Sequence, residues 1–299
     1  MLHIKPIGAV AVLTFIGAGA LLASVFLSPT SLDKATEIAG SEGQAAVHTE
    51  SLPRPREDAT RSRLLRSIDP AVLRPLNGRA FQIVRLEDAR PEGDALDYIQ
   101  ALLSRSAAGE AVATYRIYLA VRDCQIYVTG AAERALDAQG GGASGLLKID
   151  RKLDECAALS GNTPLKEGDW LSKAAEQGSL EAQLMYAIDV DSVLGTPSQR
   201  LAQPERVVEW KANSMAYLES AASAGSVDAV LRLSSAYSNG ILVRADPERA
   251  YAYALVLGRT NADSSSNALA REMERGLSTT QQASARHLSH QIYQSCCSP

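Results

Sequence analysis

Glycine and alanine recur at fixed intervals in the second half of the chain, and this spacing constrains the fold more than any other feature. A pattern of one aromatic residue, two alanines, a glycine and a further alanine begins at Trp170 and again at Tyr217. A weaker copy surrounds Gly109. Around these positions Leu, Ala and Tyr recur every three or four residues, which is typical of successive amphipathic helices. Aromatic residues make up only 5% of the chain, which also favours close-packed helices over sheets.

Each repeated glycine is predicted to form the bend of a helical hairpin. A left-handed backbone costs little only for glycine, so the glycine should follow one helix and precede the next. Alanines on both sides of the bend would let the paired backbones approach closely, while the aromatic residue covers them. Asp246 and Pro247 then have the residue types that begin a new helix. The positions that carry the pattern are Trp170, Ala174, Ala175, Gly178, Ala182, Tyr217, Ala221, Ala222, Gly225, Ala229, Leu233, Tyr237 and Gly240.

These residues resemble the Sel1-like repeat family, a relative of the tetratricopeptide arrays whose unit is a helical hairpin. The resemblance covers about residues 93–260 and implies an all-α fold, an α-solenoid of stacked hairpins. The period is irregular, because Gly109 and Gly178 are 69 residues apart whereas Gly178 and Gly225 are 47 apart. We therefore predict insertions near residues 125–165 and 190–205, the second of them a loop, and the number of repeats stays open.

An apolar run near the N-terminus indicates the compartment. Residues 7–27 contain no charged side chain and, at about 1.5 Å per residue, just reach across a bilayer core of about 30 Å. Because Lys5 precedes the run, the chain that follows should be exported. Residues 1–29 are either a signal peptide cleaved near Ala20 or an uncleaved anchor in the inner membrane. The apolar residues beyond Ala20 favour the anchor. We expect a periplasmic protein, anchored or secreted after cleavage.

Two further domains are predicted after this run. Residues 30–92 are expected to be a mostly disordered tether, with a short helix near 60–67 and a short strand near 80–86. Residues 51–90 hold nine arginines and five acidic residues, whereas the chain from residue 91 onward holds 19 basic and 25 acidic residues. Residues 93–299 should form the solenoid, closed by capping helices at 264–276 and 279–295.

The chain has four cysteines, and an even number in an exported protein indicates disulfides. A bridge between Cys124 and Cys156 is favoured, because it would join the two predicted helices that flank the first insertion. For the adjacent Cys296 and Cys297 three states are open: a bond to each other, a bridge to a second copy that would make a homodimer, or free thiols. The two nearby histidines and these cysteines match no standard zinc spacing.

The sequence favours recognition over chemistry. It contains no nucleophile elbow, zinc-protease motif or phosphate-binding loop, so no catalytic residue, cofactor or metal is expected. A net charge of −4 argues against nucleic-acid binding. The family resemblance implies a non-catalytic scaffold of the bacterial cell envelope that binds other proteins on a concave face. The alternative, carried over from some cysteine-rich exported relatives, is peptidoglycan- or β-lactam-related binding or weak hydrolysis. The predicted partner-binding face comprises Val112, Arg116, Gln183, Asp228 and Arg232.

Overall fold

A computed structural model describes residues 55–85, 90–130, 132, 142–260 and 264–299. These residues contain fourteen α-helices and one antiparallel pair of strands, β1 (Leu73–Pro75) and β2 (Phe81–Ile83). The helices are α1 (Pro55–Arg66), α2 (Ala95–Ala107), α3 (Ala111–Val128), α4 (Ala143–Ser160), α5 (Thr163–Lys166), α6 (Trp170–Glu176), α7 (Leu180–Tyr186), α8 (Val190–Leu194), α9 (Pro197–Ala202), α10 (Pro204–Ser223), α11 (Val227–Asn239), α12 (Pro247–Thr260), α13 (Ser264–Glu274) and α14 (Thr279–Cys296).

The predicted anchor or signal segment, residues 7–27, lies outside the described residues. Among the helices that are described, none combines the length and the apolar character needed to cross a membrane.

Three pairs of consecutive helices form hairpins at the predicted bends. Gly109 joins α2 to α3, Gly178 joins α6 to α7, and Gly225 joins α10 to α11, with φ angles of 89°, 94° and 102°. These angles lie in the region that favours glycine. After two of the bends a serine, Ser179 or Ser226, accepts a hydrogen bond from a backbone N–H of the next helix and caps it. The predicted position of the bend glycines is therefore confirmed.

The hairpins pack against one another in chain order. Helix α3 packs against α6, α7 against α10, and α11 against α12, which α13 and α14 then cover. Small residues sit where these helices meet: Ala174, Ala182, Ala221 and Ala229 have no exposed surface. The repeated alanines thus let the helix backbones approach closely. Helices α13 and α14 lie at the end of the stack, where capping helices were predicted.

Both predicted insertions contain helices among their described residues. Helix α4 occupies the first and is joined to α3 by a disulfide between Cys124 and Cys156, the pair favoured by the sequence. The second insertion was predicted to be a loop, but it contains the short helices α8 and α9. Helix α9 begins with reciprocal hydrogen bonds between Thr196 and Gln199, a capping arrangement that compensates for the helix's short length.

The prediction of a disordered tether is wrong for residues 55–85, hereafter the N-terminal segment. This segment contains α1 and the β1–β2 hairpin, within which the short helix and strand expected from the sequence are found. Its apolar side chains join the same core as α7, α10 and α11. They are Leu64, Ile68, Val72, Ala80 and Phe81, all buried. Their irregular spacing hides them from a search for periodicity, yet together they remove enough apolar surface from water to order the segment.

Candidate partner-binding face

The N-terminal segment covers much of the predicted partner-binding face. Arg116 of α3 donates a hydrogen bond to Asp69 over 2.5 Å. Asp228 of α11 accepts one from the backbone N–H of Ile83 over 2.8 Å. The structure thus brings residues of the predicted face together, but it places part of this same chain on them. The prediction of an open face is corrected here, because the segment was taken for a tether.

The other three predicted face residues are less available than expected. Gln183 is buried, and its side chain donates to the carbonyl of Ala175. Arg232 is half-buried, and desolvation lowers the pKa of its guanidinium, while Asp228 opposes that effect. Val112 is half-exposed. Gln183 therefore stabilises the α6–α7 hairpin rather than offering a surface to a partner.

Hydrogen bonds to main-chain groups at the bends between helices attach the segment. The backbone N–H of Phe81 donates to the carbonyl of Gly225 over 2.9 Å. At the neighbouring bend, Ser67 accepts a hydrogen bond from the first amide of α7, at Leu180, over 3.4 Å. Such contacts recognise the path of the backbone, as when an extended peptide adds to an exposed edge. Strand β2 of the segment is therefore bound as an extended ligand would be bound.

Two carboxylates at equivalent repeat positions face the segment. Glu181 and Asp228 each lie three residues after a bend glycine, at the start of α7 and α11. Glu181 accepts a hydrogen bond from Arg85 over 2.7 Å, and only 5% of its side chain is exposed. We call Arg116, Glu181 and Asp228 the docking face. Each of these residues comes from a different hairpin.

Burial and pairing act in opposite directions on these carboxylates. Desolvation raises the pKa of Glu181, and the hydrogen bond from Arg85 only partly offsets it. The pKa of Asp228 is likewise raised by burial, against the opposing effect of the Ile83 amide. For Arg85 burial is also the largest single influence and lowers the pKa, but the hydrogen bond to Glu181 and the attraction of nearby acidic groups together outweigh it, so the pKa is raised. Release of the segment would therefore remove from each carboxylate a hydrogen-bond donor that opposes the effect of burial.

An aromatic side chain anchors the β2 end of the segment. Phe81 is 2% exposed and packs in the core formed with α7, α10 and α11. The guanidinium of Arg61 lies over its ring, 6.0 Å from the centroid, and donates a hydrogen bond to the carbonyl of Ala224. Burial of a phenylalanine side chain contributes about 1.5–3 kcal/mol to the free energy of unfolding. Phe81 is the buried residue of β2, so it makes the main apolar contribution of that strand.

The C-terminus holds the turn of the segment's hairpin. Cys296 and Cys297 are bonded to each other and buried, which is one of the three states that the sequence left open. The carbonyl of Cys297 accepts a hydrogen bond from the backbone N–H of Arg79 over 2.9 Å. It also lies against Gly78, where a Cβ would approach that oxygen to 2.3 Å. The vicinal pair therefore fixes the chain end against the β1–β2 turn.

A cleft lies along the C-terminal half of α3, between α6, α8 and α9. This cleft has a volume of about 970 Å³. At its edge the buried Asp189 accepts hydrogen bonds from Tyr118 over 2.5 Å and from the hydroxyl of Ser192 over 2.7 Å, and it pairs with Arg122. Burial raises the pKa of Tyr118. These donors occupy the carboxylate, so Asp189 stabilises the start of α8.

Within the described ranges, no group of three or more His, Cys, Asp or Glu side chains is arranged to hold a metal ion. Cys296 and Cys297 are engaged with each other, and His287 contacts Gln291 of its own helix.

Comparisons with known proteins give little further support. No family model matches the chain. No curated protein matches it. Among solved structures it is similar to a protective antigen present in uropathogenic Escherichia coli strains, which displays an SLR (Sel1-like repeat) fold. The identity is 16%, with a TM-score of 0.28, and the match covers 69% of this chain and 57% of that chain. A TM-score this low does not support an inference about the fold. The stacked hairpins are therefore described from this chain's own helices and bend glycines.

Sequence reasoning missed the residues of the N-terminal segment that contact the docking face, and it missed one residue of the face itself. The segment residues are Asp69, Phe81 and Arg85, and the face residue is Glu181. One signal was present in the sequence, because an acidic residue lies three positions after two of the three bend glycines, Gly178 and Gly225.

Proposed function

We propose that this protein is a non-catalytic scaffold of the bacterial cell envelope that binds extended segments of other proteins across its helical hairpins. One observation carries the proposal: the docking face already holds an extended piece of polypeptide through main-chain hydrogen bonds, an ion pair and a buried aromatic ring. Groups that bind a peptide in this way need only complementary surfaces, so the mechanism is recognition. The alanine-packed hairpins supply a rigid support for that surface.

The envelope location rests on two features of the chain. Four cysteines form two disulfides, Cys124–Cys156 and Cys296–Cys297, and such bonds persist in oxidising compartments. The apolar run at residues 7–27 supplies either an export signal or an inner-membrane anchor. We propose that the described body works in the periplasm, where its partners are other proteins.

Site-specific photo-crosslinking in cells tests the proposal. Leu231 is exposed and lies on α11 less than one turn from Asp228, so a photo-reactive residue placed there should capture a partner at the docking face. Leu201, also exposed but on α9, is the matched control. We expect a protein captured from position 231 and not from 201, with the crosslink mapped to an extended segment of that protein. Crosslinks only within the chain itself would refute the proposal.

A further inference from the structure

The strand β2 and the residues after it present alternate groups to the docking face. In an extended strand every second side chain points in the same direction. Phe81 is buried, Ile83 packs against the same core while its backbone amide donates to Asp228, and Arg85 pairs with Glu181. The spacing of an aromatic, an aliphatic and an arginine residue at positions one, three and five thus matches the contacts that the face provides.

The two acidic contacts come from two separate hairpins. Glu181 begins α7 and Asp228 begins α11, at the same distance from their bend glycines. Because α7 packs on α10, the partner helix of α11, the stacking of the repeats sets the separation of the two carboxylates. A peptide that satisfies both must be extended across the stack and must carry its basic residue at the α7 end. The face therefore selects for residue order as well as composition.

We propose that the docking face recognises an extended peptide with the order aromatic, any residue, aliphatic, any residue, arginine, and that residues 81–85 are this chain's own competing occupant. The inference rests on the proposed function and names the class of partner. An occupant on the same chain has a high effective concentration, so a partner gains access only by displacing it. The buried carboxylates exclude peptides with an acidic residue in place of the arginine.

A labelled peptide with the sequence of residues 79–85 provides the probe. Its binding to the full chain is followed by fluorescence anisotropy, with the fold of each variant checked by circular dichroism. Arg85→Glu weakens the resident occupant, and Arg74→Glu makes the same charge change at an exposed position of the same segment. We expect the Arg85→Glu chain to bind the peptide about tenfold more tightly than the wild type or the Arg74→Glu control, as one lost charge-assisted hydrogen bond would give.

A charge reversal makes the test specific. The Glu181→Arg chain should prefer the peptide in which Arg85→Glu has been made, whereas Arg85→Glu chains should reject that peptide. If Arg85→Glu proves unfolded, Arg85→Ala replaces it. Equal binding by all chains, or no binding by any folded variant, would overturn the inference. Capture from position 231 without peptide binding would leave the scaffold in place and reject only the motif.

Discussion

Alanine substitutions at two equivalent bends separate the contribution of the N-terminal segment from that of the hairpins themselves. Gly178 and Gly225 have nearly the same φ, 94° and 102°, so alanine meets the same backbone strain, about 1–3 kcal/mol, at each position. The loss of freedom in the unfolded chain is also the same for both substitutions. Their surroundings differ, because a Cβ at Gly178 meets nothing within 4 Å.

A Cβ at Gly225, in contrast, would lie 2.6 Å from the carbonyl oxygen of Arg79 and 2.9 Å from the guanidinium of Arg61. The segment must move away, which costs about 1–3 kcal/mol for overpacking. The hydrogen bond from Phe81 to the carbonyl of Gly225 is lost with it, at about 0.5–1.5 kcal/mol. We therefore expect Gly225→Ala to lose about 2–4 kcal/mol more than Gly178→Ala.

Urea unfolding followed by circular dichroism measures that difference directly. Trypsin gives a second readout, since release of the segment should expose its arginines to cleavage in Gly225→Ala and leave them protected in Gly178→Ala. Equal losses of stability in the two variants, together with unchanged proteolysis, would show that the segment does not rest on the α10–α11 bend.

Two further perturbations test the segment and the first insertion. The hydrogen bond from Arg116 lowers the pKa of Asp69, so its contribution is present above the ordinary aspartate pKa of about 3.9 and disappears as the pH falls through the lowered value. Asp69→Asn should cost about 1 kcal/mol at pH 7 and progressively less as the pH falls below about 3.9, as measured by urea titration; a cost that does not change with pH would contradict the pairing. Replacing Cys124 and Cys156 by serine opens a loop closed over 32 residues and should cost about 3–4 kcal/mol, and a loss below about 1 kcal/mol would argue against this account.

The helical body could be predicted because its determinants are local. Gly178 and Gly225 sit at bends since only glycine adopts their backbone conformation cheaply, and Asp246 and Pro247 begin α12 for equally local reasons. The pairing of Cys124 with Cys156 followed from two helices that each carry one cysteine. Of the residues predicted for the partner-binding face, Arg116 and Asp228 contact the N-terminal segment, whereas Gln183 is buried.

The amino-acid sequence by itself determined where the helices bend, which small residues let them approach, and that a face with Arg116 and Asp228 would form. Only the tertiary structure decided what covers that face. Segment 55–85 has little periodicity of its own, and its order comes from Phe81 and Arg85, whose partners lie about 100 residues or more further along the chain. Such contacts form only after the hairpins have stacked, because no hairpin alone brings Glu181 and Asp228 to the same peptide.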